Sequence, residues 1–463
     1  VTARLTVVGI GADGFGGLGG QARDALAAAP LVVGSTRQLE LLPPSATAPG
    51  AHRLAWPSPL EPLLDELAAG RHGDAAILAS GDPMLHGIGA SIARRIAAAV
   101  GAAGLSGGAD ACYRRAAADV RSSLRAAADV RSSSSAAAAT ALRVIPAPSA
   151  FALACARLGW PAAETELLST VARKPELVAR ALQPGRRLVV YATGRDGAAR
   201  IAAILVARGF GPSRFVVLEQ LGGPAERIHE ATAATWGERA ADPLHAIAIE
   251  PAPVAGTRPL PATPGLPDDA FDHDGQLTKR HVRAVTLATL APLPGELLWD
   301  IGAGSGSIAI EWLRATAAAP ASRPTRAVAF ESDAVRAARI AENAARLGVP
   351  ELQVVHGRAP AALADASVDP ATAAPDAVFV GGGVTARGLL EAAWEAVRPG
   401  GRIVVNAVTL ESQARLLAVR AEHGGTLTQI AIAHAAPVGT FTGWRQQLPV
   451  VQWEARKEEE PQR

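Results

Sequence analysis

Short apolar runs alternate along this chain with longer stretches whose apolar residues recur every three or four positions. In the first half the runs are RLTVVGIG (4–11), PLVVGS (30–35), DAAILASGDP (74–83), LRVIPAPSAF (142–151), RRLVVYATG (186–194), RFVVLEQLGG (214–223) and HAIAIEPAP (245–253). In the second they are ELLWDIG (296–302), TRAVAFESD (325–333), LQVVHGRAP (352–360), PDAVFVGGG (375–383) and GRIVVNAV (401–408). The intervening stretches, GQARDALAAA (20–29) among them, carry the period of a helix with one buried face. Runs that are apolar at successive positions are buried on both sides. Both halves are therefore expected to be α/β, with parallel strands covered by helices on both faces.

Three segments break this pattern. Residues 101–141 are rich in Ala and Ser and repeat the octet AAADVRSS at 116 and 126, with almost nothing to bury, so they read as a low-complexity, disordered insertion. Residues 251–267, PAPVAGTRPLPATPGLP, hold six prolines and read as a semi-rigid spacer between two independent domains. The end of the chain, RKEEEPQR (456–463), reads as a solvated tail. The expected domains are thus 1–250, interrupted by the insertion, and 268–455.

Composition changes this picture little. A chain of 463 residues exceeds one core, in keeping with two or three domains. A net charge of +2 argues against a nucleic-acid protein held by phosphate contacts. Cys112 and Cys155 are too few for a disulfide framework and have no metal-ligand spacing, so no metal is expected. The first residues show no leader pattern, and no apolar run approaches the roughly 20 residues of a membrane span. A cytoplasmic protein without a membrane partner is expected.

The candidate chemistry lies in two glycine loops. Asp300, Gly302, Gly304 and Gly306 form D-x-G-x-G-x-G where a first strand meets its helix. Ligands of open α/β sheets sit beyond such strand ends, and glycine lets the backbone approach them closely. Glu331 ends the next strand, where an acid accepts ribose hydroxyls, as it does in NAD enzymes too. The other loop, GIGADG, satisfies G-x-G-x-x-G at Gly9, Gly11 and Gly14. Alone it would suit a dinucleotide, and Ser35 to Arg37 would suit a 2′-phosphate, so an NADP-dependent reductase is one reading of this half.

The C-terminal glycine pattern resembles motif I of class I methyltransferases. FDHDGQLTKRHVRAVTLATLAPLPGELLWDIGAGSGSIAIEW (271–312) with DAVFVGGG resembles a CbiT-like domain. VVGIGADGFGGL (7–18), ASGDPMLHGIG (79–89), PAPSAFALACARLGW (146–160) and LEQLGGPAERI (218–228) resemble the CbiE-like tetrapyrrole (class III) methylases. Together they resemble the decarboxylating precorrin-6Y C5,15-methyltransferase family of the fused, CobL type. The resemblance implies a two-subdomain tetrapyrrole methylase joined to a Rossmann-like class I methyltransferase. It implies S-adenosylmethionine-dependent methylation of precorrin-6Y (precorrin-6B) at carbons 5 and 15. Loss of the ring C acetate carboxyl accompanies it, and the product is precorrin-8X of cobalamin synthesis. It also implies a homo-oligomer.

Carried over by motif, the implied donor contacts of the first half are Gly9, Gly11, Asp82, Met84 and Ser149. Those of the second half are Thr278, Asp300, Gly302, Ala303, Gly304, Ser305, Gly306, Glu331 and Ala359. Arg358 stands where many methyltransferases have an acid or amide. No nucleophile–base pair is expected, because reduced meso carbons are electron-rich and orientation does the work. Asp82, His86 and Lys279 are candidates for assisting roles; Asp82 also suits a turn or cap. Lys279, Arg280, His281 and Arg283 are candidates for the substrate's carboxylates, although helical spacing prevents all four from facing inward. His273 is a further candidate. A non-catalytic protein that passes on intermediates is the remaining reading.

Overall fold

The computed structural model describes residues 3–104, 140–317, 319, 321, 323–364 and 373–459. The first sheet contains β1 (Arg4–Ile10), β2 (Leu31–Gly34), β3 (His52–Ala55), β4 (Ala75–Ser80) and β5 (Ala141–Ile145) in the order β3-β2-β4-β1-β5, all parallel. Alternation along β1 explains its unbroken apolar run. Leu5 and Val7 join the core on one face, whereas Val8 and Ile10 join the core on the other.

The second sheet contains β6 (Thr165–Ser169), β7 (Arg187–Tyr191), β8 (Arg214–Glu219), β9 (Arg227–Thr232) and β10 (His245–Glu250), ordered β6-β7-β10-β8-β9. Here the expectation of parallel strands fails. β6 and β7 are parallel, but β10 runs antiparallel to β7 and β8, and β9 antiparallel to β8. The apolar runs of β8 and β10 reflect burial on both faces, which either strand direction satisfies. β9, RIHEAT, has no apolar run because it is a largely exposed edge; its Glu230 pairs with Arg214 at 2.7 Å.

The third sheet is built from β11 (Leu297–Ile301), β12 (Arg326–Glu331), β13 (Gln353–His356), β14 (Ala377–Val380), β15 (Arg402–Ala407) and β16 (Thr426–Ile430). A hairpin, β17 (Ala433–Val438) and β18 (Phe441–Gln446), then precedes β19 (Val450–Arg456). The sheet order is β13-β12-β11-β14-β15-β19-β16, with β19 antiparallel to both neighbours. β11 and β14 lie side by side, and the crossover reverses there, which opens a crevice at their carboxyl ends.

The three irregular segments differ from expectation at their edges. Residues 101–104 continue the helix Ile88–Gly104, and Ala141 already pairs in β5; the repeats themselves lie outside the described residues. Arg456 belongs to β19, and the Lys457 ammonium donates to the carbonyls of Trp394 and Glu395 at 3.2 and 3.0 Å. The proline-rich stretch is docked rather than free. The Val254 amide donates to Gly209 O, and the Leu260 carbonyl accepts from Gln183 and Arg314. Leu266 is buried in the C-terminal core. The halves also touch directly, through Arg180 and Glu351 at 2.7 Å. Among the described residues no helix is long and apolar enough to cross a membrane, and no cluster of three metal-ligating side chains occurs.

Candidate functional site

In the N-terminal half, the ends of β1 and β4 face the second sheet across a cavity of about 580 Å³. Three backbone turns meet at its floor. A Cβ on Gly9 would stand 2.2 Å from Gly81 O and 2.6 Å from Ala147 N, so only glycine permits the turns to close. Ser149 caps the helix Ala150–Leu158 by accepting from Ala152 N at 3.1 Å, and the Tyr191 hydroxyl accepts from Phe151 N at 2.8 Å. Asp82 accepts from Met84 N at 2.8 Å, the turn role its residue type favours, while also lining the cavity. His86, at φ 57°, lies edge-on to Tyr191 with ring centroids 6.4 Å apart. Burial, with the Arg173 charge added, holds its imidazole below the usual histidine range. Gly11 and Ser149 line the cavity, whereas Met84 is half exposed and does not.

In the C-terminal half, Gly302, Gly304 and Gly306 all have positive φ, at 72°, 61° and 76°. A Cβ on Gly302 would meet Gly382 N at 2.9 Å, so the first glycine loop lies directly against the glycine triplet after β14. Glu331, at the end of β12, accepts from Gly304 N at 2.8 Å and from Asp333 N at 3.0 Å. Its carboxylate therefore stands at the loop and is 5% exposed. Asp300 is buried and accepts from Ala309 N at 3.0 Å, pinning the first turn of the helix Ser307–Thr316. Its other oxygen has no partner among the described residues, and burial pushes its carboxyl up to about 7. Ser305 is buried with its hydroxyl likewise unpartnered, and Ala303 packs partly buried against the core. Ala359 is half-buried after β13.

Both regions match known families. A model described as "Precorrin methyltransferase domain" matches residues 269–457, and one described as "Tetrapyrrole (Corrin/Porphyrin) Methylases" matches 4–103 and 130–236. A Sinorhizobium precorrin-6Y C(5,15)-methyltransferase [decarboxylating] is 43% identical over 98% of this chain and 96% of its own length. A Mycobacterium tuberculosis protein of the same name is 40% identical over 98% of this chain and 100% of its own. The chain belongs to the precorrin-6Y C5,15-methyltransferase (decarboxylating) family. A solved C-terminal domain of that enzyme from Rhodobacter capsulatus is 46% identical, covering 43% of this chain and 100% of its own, with a TM-score of 0.38.

As a member of this family the chain is a methyltransferase, and the reductase reading of the N-terminal loop falls away. Ser35 and Arg37 have other work. Ser35 forms a capping box with Gln38, and the Arg37 guanidinium donates to Ser80 Oγ at 3.2 Å.

The basic run after Gln276 needs a correction. Arg283 does not face substrate. It is fully buried, 2.6 Å from Glu311 and 3.2 Å from Asp268, and donates to the Thr278 and Leu266 carbonyls. The helical period turns this one position of the four into the core. Arg280 donates to Gly265 O at 2.8 Å, while Lys279 and His281 are exposed. The His273 ring accepts from Gly275 N at 3.0 Å within its own turn. Thr278 is half-buried at the start of this helix, and Arg358 is exposed.

Several cavity residues carried no sequence signal. Gln38, Trp56, Tyr191 and His245 line the N-terminal cavity from four separate stretches of the chain. Tyr191 ends β7, and a rule that treats every strand end as a candidate would have found it.

Proposed function

We propose that the chain methylates precorrin-6Y at carbons 5 and 15 and decarboxylates its ring C acetate, giving precorrin-8X. The carbon-5 step is assigned to residues 1–250 and the carbon-15 step with decarboxylation to residues 268–455. One observation carries this reading: two separate glycine-built strand ends stand on different sheets, so a single chain offers two places for a donor. The acceptor carbons lie on opposite sides of a macrocycle, and two sites answer that need.

The donor we assign is S-adenosylmethionine, which supplies a methyl group already activated on a sulfonium. The residues present suit it. In the C-terminal half, Glu331 lies at the glycine loop, placed to accept from ribose hydroxyls. Gly302, Ala303, Gly304, Ser305 and Gly306 bring main chain rather than side chain to the ligand, with Thr278 and Ala359 at the edges. Asp300 holds the loop to its helix. In the N-terminal half, Gly11, Asp82 and Ser149 line a cavity of suitable size, Gly9 lets the adjoining turns close, and Met84 is assigned as an exposed contact two residues beyond Asp82. Catalysis rests on orientation and exclusion of water, with His86 and Lys279 as assisting groups.

The expected product of the full chain gains two methyl groups and loses one carbon dioxide by mass spectrometry. Gly304→Asp tests the division of labour. A Cβ there would stand 2.9 Å from Gln276 O, at a φ of 61°. Carbon-15 methylation and decarboxylation are expected to vanish while carbon-5 methylation continues. Unchanged product would refute the assignment, and a wild-type chain without turnover would favour an intermediate carrier.

We further propose a cytoplasmic homo-oligomer. The β17–β18 hairpin displays Phe441 and Trp444, each 80% exposed, with Val438 beside them. A second copy of the chain is the occupant we assign to this face.

A further inference from the structure

The strand order of the first sheet also orders what lies along its carboxyl edge. Ser149, Gly11 and Asp82 follow β5, β1 and β4, neighbours on one side, and are positions assigned to the donor. Arg37 and Trp56 follow β2 and β3, on the other side, and they line the same cavity. Strands lie about 4.8 Å apart, so roughly 14 Å of edge separates the β5 end from the β2 end. The donor residues therefore leave the β2–β3 side for another group. Trp56, Leu60 and Ile88 give that side an apolar wall.

On the same side the polar groups are set for an anion. Ser35 and Gln38 form the capping box of the short helix Thr36–Glu40, which fixes Gln38 in a buried position. The Gln38 amide and the Arg37 guanidinium both donate to Ser80 Oγ, at 3.1 and 3.2 Å. Both lone pairs of that oxygen are then taken, and its own proton is left to donate elsewhere. Arg37 is half-buried, and burial pulls its guanidinium below the usual arginine range. Ser80 takes one of its N–H donors, and no acid lies within ion-pair distance of it among the described residues. The Asp242 charge acts on it from further away, but that carboxylate already accepts from Gln220 Nε2 and Leu244 N, at 2.9 and 2.8 Å. A cation that gives up water without gaining a counter-ion is destabilised, and an arriving carboxylate supplies one.

We propose that Arg37 and Ser80 hold one carboxylate arm of the tetrapyrrole acceptor, whose macrocycle lies against Trp56 and Leu60 beside the donor. The inference rests on reading the N-terminal half as the carbon-5 methylating site. The planar fork of the guanidinium matches a carboxylate's two oxygens, and the serine proton adds a further donor. Held at the β2 end, the arm fixes which edge of the macrocycle meets the donor over β1 and β4. The donor's own carboxylate shares this chemistry and is the competing occupant.

The test uses the full-length chain. Carbon-5 methylation is followed by mass spectrometry for wild type, Arg37→Ala, Arg37→Lys and Ser80→Ala, and S-adenosylhomocysteine affinity is measured by calorimetry for each. Arg37→Ala is expected to raise the acceptor KM about tenfold or more, the worth of a charged hydrogen bond, with kcat little changed. Affinity for S-adenosylhomocysteine should stay within about twofold of wild type, because uniform acceptor binding alone is lost; that retained affinity also shows the pocket to be folded. Arg37→Lys should recover part of the lost affinity, since charge without the planar fork remains. Ser80→Ala should raise the KM in the same direction by less. An unchanged KM in Arg37→Ala overturns the proposal. So does weakened S-adenosylhomocysteine binding, which would give the guanidinium to the donor's carboxylate. Absence of carbon-5 methylation in the wild-type chain would instead fail the underlying reading.

Discussion

At the scale of single residues, Asp300 joins structure to pH. Its folded carboxyl is raised to about 7 from an ordinary 3.8 because burial disfavours its charge. The folded chain therefore keeps a proton that the unfolded chain releases. This contribution to stability is complete below about pH 4 and is lost as pH rises through about 7. Asp300→Asn removes the titration, so the fall in melting temperature between those limits is expected to flatten; an unaltered slope in calorimetric scans would locate it elsewhere. Gly9 gives a second test. Gly9→Ala forces a methyl against Gly81 O and Ala147 N, so the N-terminal half is expected to lose about 1–3 kcal/mol, as in other overpacked sites. Calorimetric titration with S-adenosylhomocysteine should then show the C-terminal site alone. Gly9, Gly304 and Glu331 were legible because glycines and a terminal acid after apolar runs have few other uses. His245 was not, since nothing near it in sequence marks a buried ring with an unpartnered nitrogen.

At the scale of elements, the helix Arg280–Leu290 shows how a basic run misleads. Its hydrophilic text, TKRHVR, suggests a charged face, yet Arg283 and Glu311 form an ion pair shielded from water, with Glu311 also accepting from Gly265 and Leu266 amides. Burial pushes the Glu311 carboxyl up, against the pull of Arg283. Arg283→Ala leaves that carboxyl without its cation and is expected to cost about 3–5 kcal/mol in urea unfolding. Arg283→Met with Glu311→Leu should cost less than the single change, because no charge remains to be desolvated. The same pair holds the end of the proline-rich stretch, which composition alone made a free spacer. Proline limits main-chain donors, but the carbonyls of Leu260 and Pro261 still accept from Arg314, and those bonds hold the stretch in place.

At the scale of the whole molecule, two α/β halves are joined by a docked segment and by contacts such as Arg180 with Glu351. The exposed hairpin makes the assembly testable. Phe441→Asp with Trp444→Asp replaces its apolar tip by charge, and sedimentation is expected to show a smaller species than wild type with both methylations retained. An unchanged mass would remove the hairpin from the interface.

The order of buried runs and glycine turns determined by itself that two α/β halves with glycine-built strand ends lie in one chain, since continuous apolar runs demand helices on both sides and small turns demand glycine; that both halves are methyltransferases came from the resemblance of their motifs. Only the tertiary structure decided strand direction in the second sheet, the burial of Arg283, the docking of the proline-rich stretch and the meeting of Gln38, Trp56, Tyr191 and His245 around one cavity. Burial patterns are local and survive in the text. Which distant side chains share a space depends on how the layers stack, and no window of sequence carries that.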